Sequence, residues 1–128
     1  MLRDDKYALR APRLGRGSRT RPCDGILVTG GTGFTGRDST PEALLHHCWT
    51  SHMPGFGEMF RVLSFEEIGT STVQSRAFAG LANATFVFAL PGSTSACRTA
   101  WEKLIRAQLD ATTKPCNLAS LRPRLRET

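Results

Sequence analysis

The sequence predicts an α/β domain, a mainly parallel sheet with helices on both faces, and three observations carry that expectation. Ile26-Leu27-Val28 is apolar without polar alternation, the pattern of a strand buried on both faces and so of a parallel sheet covered by helices. A glycine-rich turn follows at once and runs into a helix start at Thr40-Pro41-Glu42. The same order returns further on, with the apolar run Thr85-Phe86-Val87-Phe88-Ala89-Leu90, the turn Pro91-Gly92-Ser93-Thr94 and a long amphipathic stretch.

The first turn holds most of the chemistry. Four glycines in the seven residues Gly30 to Gly36 remove the side chains that would keep a ligand from the backbone, and they permit positive φ. Amide groups are thereby left to point at an anion. Thr40 supplies a hydroxyl cap, Pro41 stands where a missing N–H costs nothing, and Glu42 places an acid in the first turn. Asp38 sits at the mouth.

Two familiar patterns overlap this turn. Gly31-Thr32-Gly33-Phe34-Thr35-Gly36 is a literal G-x-G-x-x-G, the dinucleotide fingerprint if an acid follows at the end of a second strand. The acid at the right separation, Glu58, instead lies in Pro54-Gly55-Phe56-Gly57-Glu58, which reads as a chain break leading into a helical pattern. The phosphate-binding P-loop also fails, because Arg37-Asp38 stands where Lys and Ser/Thr are required. A dinucleotide-binding oxidoreductase is therefore the weaker alternative.

A length of 128 residues allows one domain with a modest core. The net charge of +6 resembles a nucleic-acid signal until it is located. Residues 1–22 hold seven Arg/Lys against two Asp, and residues 122–128 hold three Arg against one Glu. The intervening chain has seven basic and eight acidic residues and is nearly neutral. The expected organisation is a basic, unpatterned segment 1–22, a domain over 23–117 and a basic solvated tail over 118–128. Without interleaved aromatics the basic ends do not point to nucleic acid. Cys23, Cys48, Cys97 and Cys116 form no C-x-x-C pair, so free thiols are the default. With no signal peptide and no apolar run of membrane length, a cytoplasmic protein without membrane attachment is expected.

Along the domain, Ala43-Leu44-Leu45 with Trp49 continues a short helix, with His46, His47 and His52 on its solvated side or just beyond it. A helical face over Phe56, Phe60, Leu63 and Phe65 is expected to break near Ser64, and Glu66-Glu67 to start the next turn. Residues 70–79 read as another helix, carrying Ser75 and Arg76, and residues 80–84 as a polar turn. In the last helix Ala96, Cys97, Ala100, Trp101, Leu104, Ile105 and Leu109 recur at three- and four-residue intervals, which places Trp101 in the core.

In a parallel sheet both strand-to-helix turns leave by the carboxyl edge. The loops Gly30–Asp38 and Pro91–Ser93 then face one crevice, each backed by a helix N-terminus that favours negative charge. Two such loops and one carboxylate suit a phosphorylated ligand with hydrated Mg²⁺.

Several stretches taken together resemble the MoaB/Mog molybdopterin-binding family: Thr29-Gly30-Gly31-Thr32-Gly33, Arg37-Asp38 with Thr40-Pro41-Glu42-Ala43, Pro54-Gly55-Phe56-Gly57-Glu58 with Phe60-Arg61, Leu63-Ser64-Phe65-Glu66-Glu67-Ile68-Gly69-Thr70, Ser75-Arg76-Ala77 and Pro91-Gly92-Ser93. The resemblance runs from Cys23 to about Asn117. It implies a three-layer α/β fold, a homo-oligomer (trimer or hexamer), and a site for molybdopterin. In adenylyltransferase members it also implies ATP and Mg²⁺. The molybdopterin phosphate there attacks the α-phosphate of ATP and releases pyrophosphate before molybdenum insertion; the other reading is a binding or assembly subunit without chemistry.

Carried onto this chain, the resemblance assigns cofactor binding to Thr29, Gly30, Gly31, Thr32, Gly33, Pro91, Gly92 and Ser93, with Glu66, Ser75 and Arg76 near the pocket. Asp38 takes the position of a carboxylate used for metal and catalysis. Asp5, in Asp4-Asp5-Lys6-Tyr7-Ala8-Leu9-Arg10, aligns with a second catalytic acid. Family members begin with a further strand and a Ser/Gly loop that residues 1–22 do not match, and residues 11–22 stand where the family has an amphipathic helix. The expectation is a member whose first βα unit is missing.

Overall fold

The computed structural model describes residues 24–47 and 51–127, and of His46 and His47 only the backbone. Asp5, the segment 1–22, Cys23, Cys48 and Trp49 lie outside the described residues.

Four strands, β1 (Gly25–Thr29), β2 (Ser51–His52), β3 (Phe78–Ala82) and β4 (Thr85–Leu90), form one sheet in the order β1-β4-β3-β2. Helices α1 (Thr40–His47), α2 (Pro54–Ile68) and α3 (Thr94–Ala100) flank it. Because side chains alternate along a strand, β4 sorts the two layers of packing. Phe86, Phe88 and Leu90 pack with Phe56 and Phe60 of α2 and with Ala100 and Ile105 from the last helix. Val87 and Ala89 point the other way, onto Leu44 of α1. Helices therefore cover both faces, and the three-layer α/β expectation holds. The Phe56 and Phe88 rings meet edge-on with centroids 5.3 Å apart, and a fully buried Phe contributes about 1.5–3 kcal/mol.

The described sheet is mixed. β1 runs parallel to β4, with Thr29 opposite Leu90, whereas β3 is antiparallel to both β4 and β2. The antiparallel half comes from residues 70–84, where helix and polar turn were expected. A 3-10 helix (Gly69–Gln74) is followed instead by β3, and the turn shrinks to Asn83 and Ala84, both at positive φ. Two residues of that hand match the twist of a tight hairpin. Pairing with β4 satisfies the backbone of Phe78-Ala79-Gly80-Leu81-Ala82, and that decides a segment whose side chains show little preference.

Other expectations are corrected by packing. Pro54 to Gly57 opens α2 rather than breaking the chain, with Pro54 at the first helical position. The helix continues unbroken past Ser64, which is buried inside it rather than capping a new one. β1 is an edge of the described sheet, and Leu27 remains 48% exposed, so the strand buried on both faces is β4. Trp101 is 41% exposed instead of in the core. It starts a π-helical turn (Trp101–Ile105) in which the Arg106 N–H bonds the Trp101 carbonyl. The extra residue in that turn rotates the apolar face past Trp101 and sends Ile105 inward. The last helix then ends in one further α-turn (Arg106–Gln108). Beyond it, the expected tail folds back: Leu118 and Leu125, flanking a 3-10 helix (Ala119–Arg124), pack on the α2 side of the sheet, and Arg122 pairs with Asp24 at 2.7 Å.

Candidate functional site

The site is built where β1 and β4 end side by side. Gly30 extends their ladder by one bond, its N–H donating to the Leu90 carbonyl at 2.8 Å. A Cβ placed on Gly92 would lie 3.5 Å from the Gly30 Cα, so the Thr29–Gly33 and Pro91–Ser93 loops share one rim of the sheet. Parallel pairing dictates this, since both strands deliver their following loops to the same edge.

Gly30 and Gly31 both adopt positive φ, at 88° and 69°. The second is required by space as well, because a Cβ on Gly31 would stand 2.3 Å from Thr40 Oγ1. Thr40 is buried; its hydroxyl donates to the Gly30 carbonyl at 2.8 Å and its N–H to the Gly31 carbonyl at 3.0 Å. The hydroxyl expected to cap α1 therefore fastens the glycine loop. The first helical bond starts one residue earlier, from Ala43 N–H to the Ser39 carbonyl.

Asp38 closes the loop. Its Oδ2 accepts from the Thr35 hydroxyl at 2.7 Å and the Thr35 N–H at 2.9 Å. A Cβ on Gly33 would come within 2.7 Å of the same oxygen, so glycine is needed there for the carboxylate to tuck in. The Thr35 hydroxyl, then the Thr35 amide, hold the Asp38 carboxyl below its ordinary value of 3.8; the Gly33 backbone and the Arg76 charge add to this, and desolvation opposes it. A folded-state pKa below the unfolded one contributes stability above the ordinary value that is lost as pH falls through the lowered one. Thr35→Val is expected to move the Asp38 pKa up toward 3.8 in a carbon-detected NMR titration. An unmoved titration would remove the hydroxyl as the cause.

Arg76 holds the loop from the opposite side. Its Nε donates to the Gly33 carbonyl at 2.8 Å, one terminal nitrogen to the Asp38 carbonyl at 2.7 Å, and the other pairs with the Glu42 carboxylate. Its N–H donates to the Thr32 carbonyl at 3.1 Å, and its guanidinium lies 5.4 Å from the centre of the Phe34 ring. Arg76 is brought into the site as expected, yet its donors are committed to the loop's own carbonyls and to Glu42. Arg61 braces the approach, donating to the Ala77 carbonyl at 2.9 Å and the Ser75 carbonyl at 3.4 Å.

The second loop is capped by Ser93, whose Oγ accepts from Ala96 N–H at 3.3 Å. Among the described residues the N–H groups of Gly31, Thr32, Gly92 and Ser93 have no partner within the chain, whereas that of Gly30 is spent on the sheet. Four amides from two loops can therefore meet an anion. Thr29 ends β1, exposed at this rim, and Thr32 is buried beneath it. Ser75 reaches the site only through its neighbour Arg76; its own hydroxyl accepts from Ala77 N–H at 3.3 Å. Glu66 is exposed on the last turn of α2 and makes no bond to either loop.

The dinucleotide alternative fails on topology. The strand after α1 is β2, at the far edge of the sheet from β1, and Glu58 lies on α2. No group of three or more His, Cys, Asp or Glu side chains among the described residues could hold a metal by protein ligands alone. A single carboxylate does fit Mg²⁺ of the kind that keeps waters and arrives with ligand phosphates. Reasoning from sequence placed Thr35, Glu42, Arg61 and Phe34 in its motifs but gave none of them a role in the site. Glu42 and Arg76 are far apart in the chain, and the one legible sign was that each carries a charge beside a glycine-containing or turn segment.

Fold and rim together define an α/β domain whose two backbone loops meet at one sheet edge and present unpartnered amides beside a carboxylate. A family model described as the probable molybdopterin binding domain matches residues 1–111, and the chain belongs to that family. The match includes the segment 1–22 that patterning set apart. Molybdenum cofactor biosynthesis protein B of Escherichia coli (strain K12) is 55% identical over 117 residues, covering 91% of this chain and 68% of that protein. A crystal structure of molybdenum cofactor biosynthesis protein B superposes with a TM-score of 0.68 at 38% identity, over 82% of this chain and 60% of that one. The tungsten cofactor synthesizing protein MoaB from Pyrococcus furiosus gives 0.57 at 41% identity, over 63% and 52%. The chain thus spans between about half and two thirds of the length of these relatives.

Proposed function

We propose that this chain binds molybdopterin in molybdenum cofactor biosynthesis and, in the finer reading, adenylylates it with Mg-ATP. The observation that carries the proposal is the meeting of two amide-bearing loops at one rim beside Asp38. Gly31 and Thr32 on one side and Gly92 and Ser93 on the other would hold the phosphates of pterin and nucleotide. An oxygen of the molybdopterin phosphate attacks the α-phosphorus of ATP; pyrophosphate leaves with the electron pair of the broken bond, and a phosphoanhydride is formed. Asp38 would hold the Mg²⁺ that the nucleotide carries, which supplies charge neutralisation to the phosphates. The family model's description supports the pterin assignment, and the relatives' printed names support a place in molybdenum cofactor biosynthesis.

Titration with molybdopterin, with and without Mg-ATP, tests this. Molybdopterin binding with ATP-dependent pyrophosphate release is the expected result. Binding without release would leave a non-catalytic binding or assembly subunit, and NAD(P) binding with no pterin binding would overturn the assignment. No helix among the described residues is long and apolar enough to cross a membrane.

We further propose that the protein works as a homo-oligomer, a trimer or hexamer. Val62 and Phe65 are 59% and 56% exposed on the side of α2 opposite its buried Phe56 and Phe60, and Met59 is 48% exposed on the flank. Light scattering is expected to give a trimer or hexamer for the wild type and a smaller species for Phe65→Glu; a monomeric wild type would end this proposal.

A further inference from the structure

The most exposed large side chain on the site's own loop has no role in holding the loop. Phe34 follows Gly33 and is 70% exposed, although its neighbours Thr35 and Asp38 are tied together and Thr32 is buried. One side of its ring is taken by the Arg76 guanidinium at 5.4 Å. That guanidinium cannot drift, because the Gly33 and Asp38 carbonyls and the Glu42 carboxylate hold it. Phe34 is therefore a large aromatic surface with a fixed backing, and only Gly33 separates it from Thr32, whose N–H is unpartnered. An apolar ring left in water is a cost that burial in the fold does not recover. A flat heteroaromatic ring attached to the phosphate bound by those amides would cover it.

We infer that Phe34 is a specificity-determining contact, stacking through its open face on the nitrogen heteroaromatic ring of the ligand whose phosphate occupies the Gly31–Thr32 amides. This rests on the phosphorylated-ligand reading proposed above and deepens it by assigning the ring's contact. Pterin and adenine share the required chemistry, a flat polar π-system, and a guanidinium-backed phenyl ring accepts either. Stacking of a base on an aromatic side chain is worth on the order of tenfold to a hundredfold in affinity.

The test compares three phosphates on the full chain: 6-hydroxymethylpterin phosphate, AMP, and ribose 5-phosphate, which has no ring to stack. Phe34→Leu is expected to weaken the ring-bearing ligand that stacks here by about tenfold or more, to leave ribose 5-phosphate unchanged and to abolish stacking-induced quenching of pterin fluorescence. Phe34→Trp should restore affinity. Selective loss of pterin binding assigns the pterin to Phe34, and selective loss of AMP binding assigns the adenine. The inference is overturned if Phe34→Leu binds every ring-bearing ligand as the wild type does, or loses all three equally. A wild type that binds pterin phosphate, with neither its binding nor that of AMP depending on Phe34, sinks this inference alone. One that binds AMP through Phe34 but no pterin sinks the pterin assignment and keeps the stacking. One that binds neither ring-bearing phosphate sinks both.

Discussion

Asp38→Asn is expected to lower ATP-dependent pyrophosphate release by about a hundredfold or more while leaving the fold intact. The separation of the two effects follows from the geometry. Both Thr35 donors reach one carboxylate oxygen, at 2.7 Å and 2.9 Å. An amide oxygen in the same place accepts both, so the loop keeps its closure. What disappears is the negative charge, and with it the hold on a Mg²⁺ that comes with the nucleotide. Thermal melts at neutral pH should differ only by the modest stability that the Thr35-held carboxylate contributes, because Asp38 is partly exposed and the bonds that close its loop are kept. Molybdopterin affinity in the absence of metal should change little, as its phosphate is met by neutral amides. Turnover equal to the wild type would take Asp38 out of the mechanism.

Arg76→Ala is expected to destabilise the protein by about 2–4 kcal/mol, since a hydrogen bond from a charged group contributes about 1.5–3 kcal/mol and three are lost from partly buried acceptors. The Arg76 and Glu42 side chains are 26% and 39% exposed, which keeps the figure below that of a fully buried network. The substitution removes the one group that ties the Gly33 carbonyl, the Asp38 carbonyl and the Glu42 carboxylate together. Arg76→Lys is expected to retain only part of the loss in urea denaturation, because a single ammonium can keep the Glu42 pair but cannot present a planar fork to three acceptors. Both variants should also weaken phosphate binding, through a loosened loop rather than a lost ligand contact. A Lys variant as stable as the wild type would show that the charge alone matters.

The contrast between these two residues shows how far the sequence could be read. Asp38 was placed correctly at the mouth of the glycine turn, because turn chemistry is local and four glycines leave few other uses for the backbone. The partnering of the two loops was legible for a similar reason: two strands of one type in parallel deliver their turns to one edge. Arg76 was drawn to the site only through a motif, and its bonding was not legible. Its acceptors are carbonyls separated from it by about forty residues of chain, and a carbonyl leaves no mark in a sequence. Residues 70–84 were misread for the same reason, since Ala79, Gly80 and Ala82 become strand only when β4 supplies their hydrogen bonds. Trp101 was misread because one π-helical turn shifted the helix face.

By itself the sequence determined the α/β class, the strand-turn-helix that carries the glycine loop, and the apolar run that became β4. Each of these is written in near neighbours, through periodicity, glycine content and caps. Only the tertiary structure decided that the sheet is mixed, that Thr40 fastens the loop instead of capping α1, that Arg76 is spent on the loop's own carbonyls, and that Phe34 stands open beside it. Those outcomes depend on which distant backbone groups are left unpaired once the sheet has formed, and no local pattern encodes that.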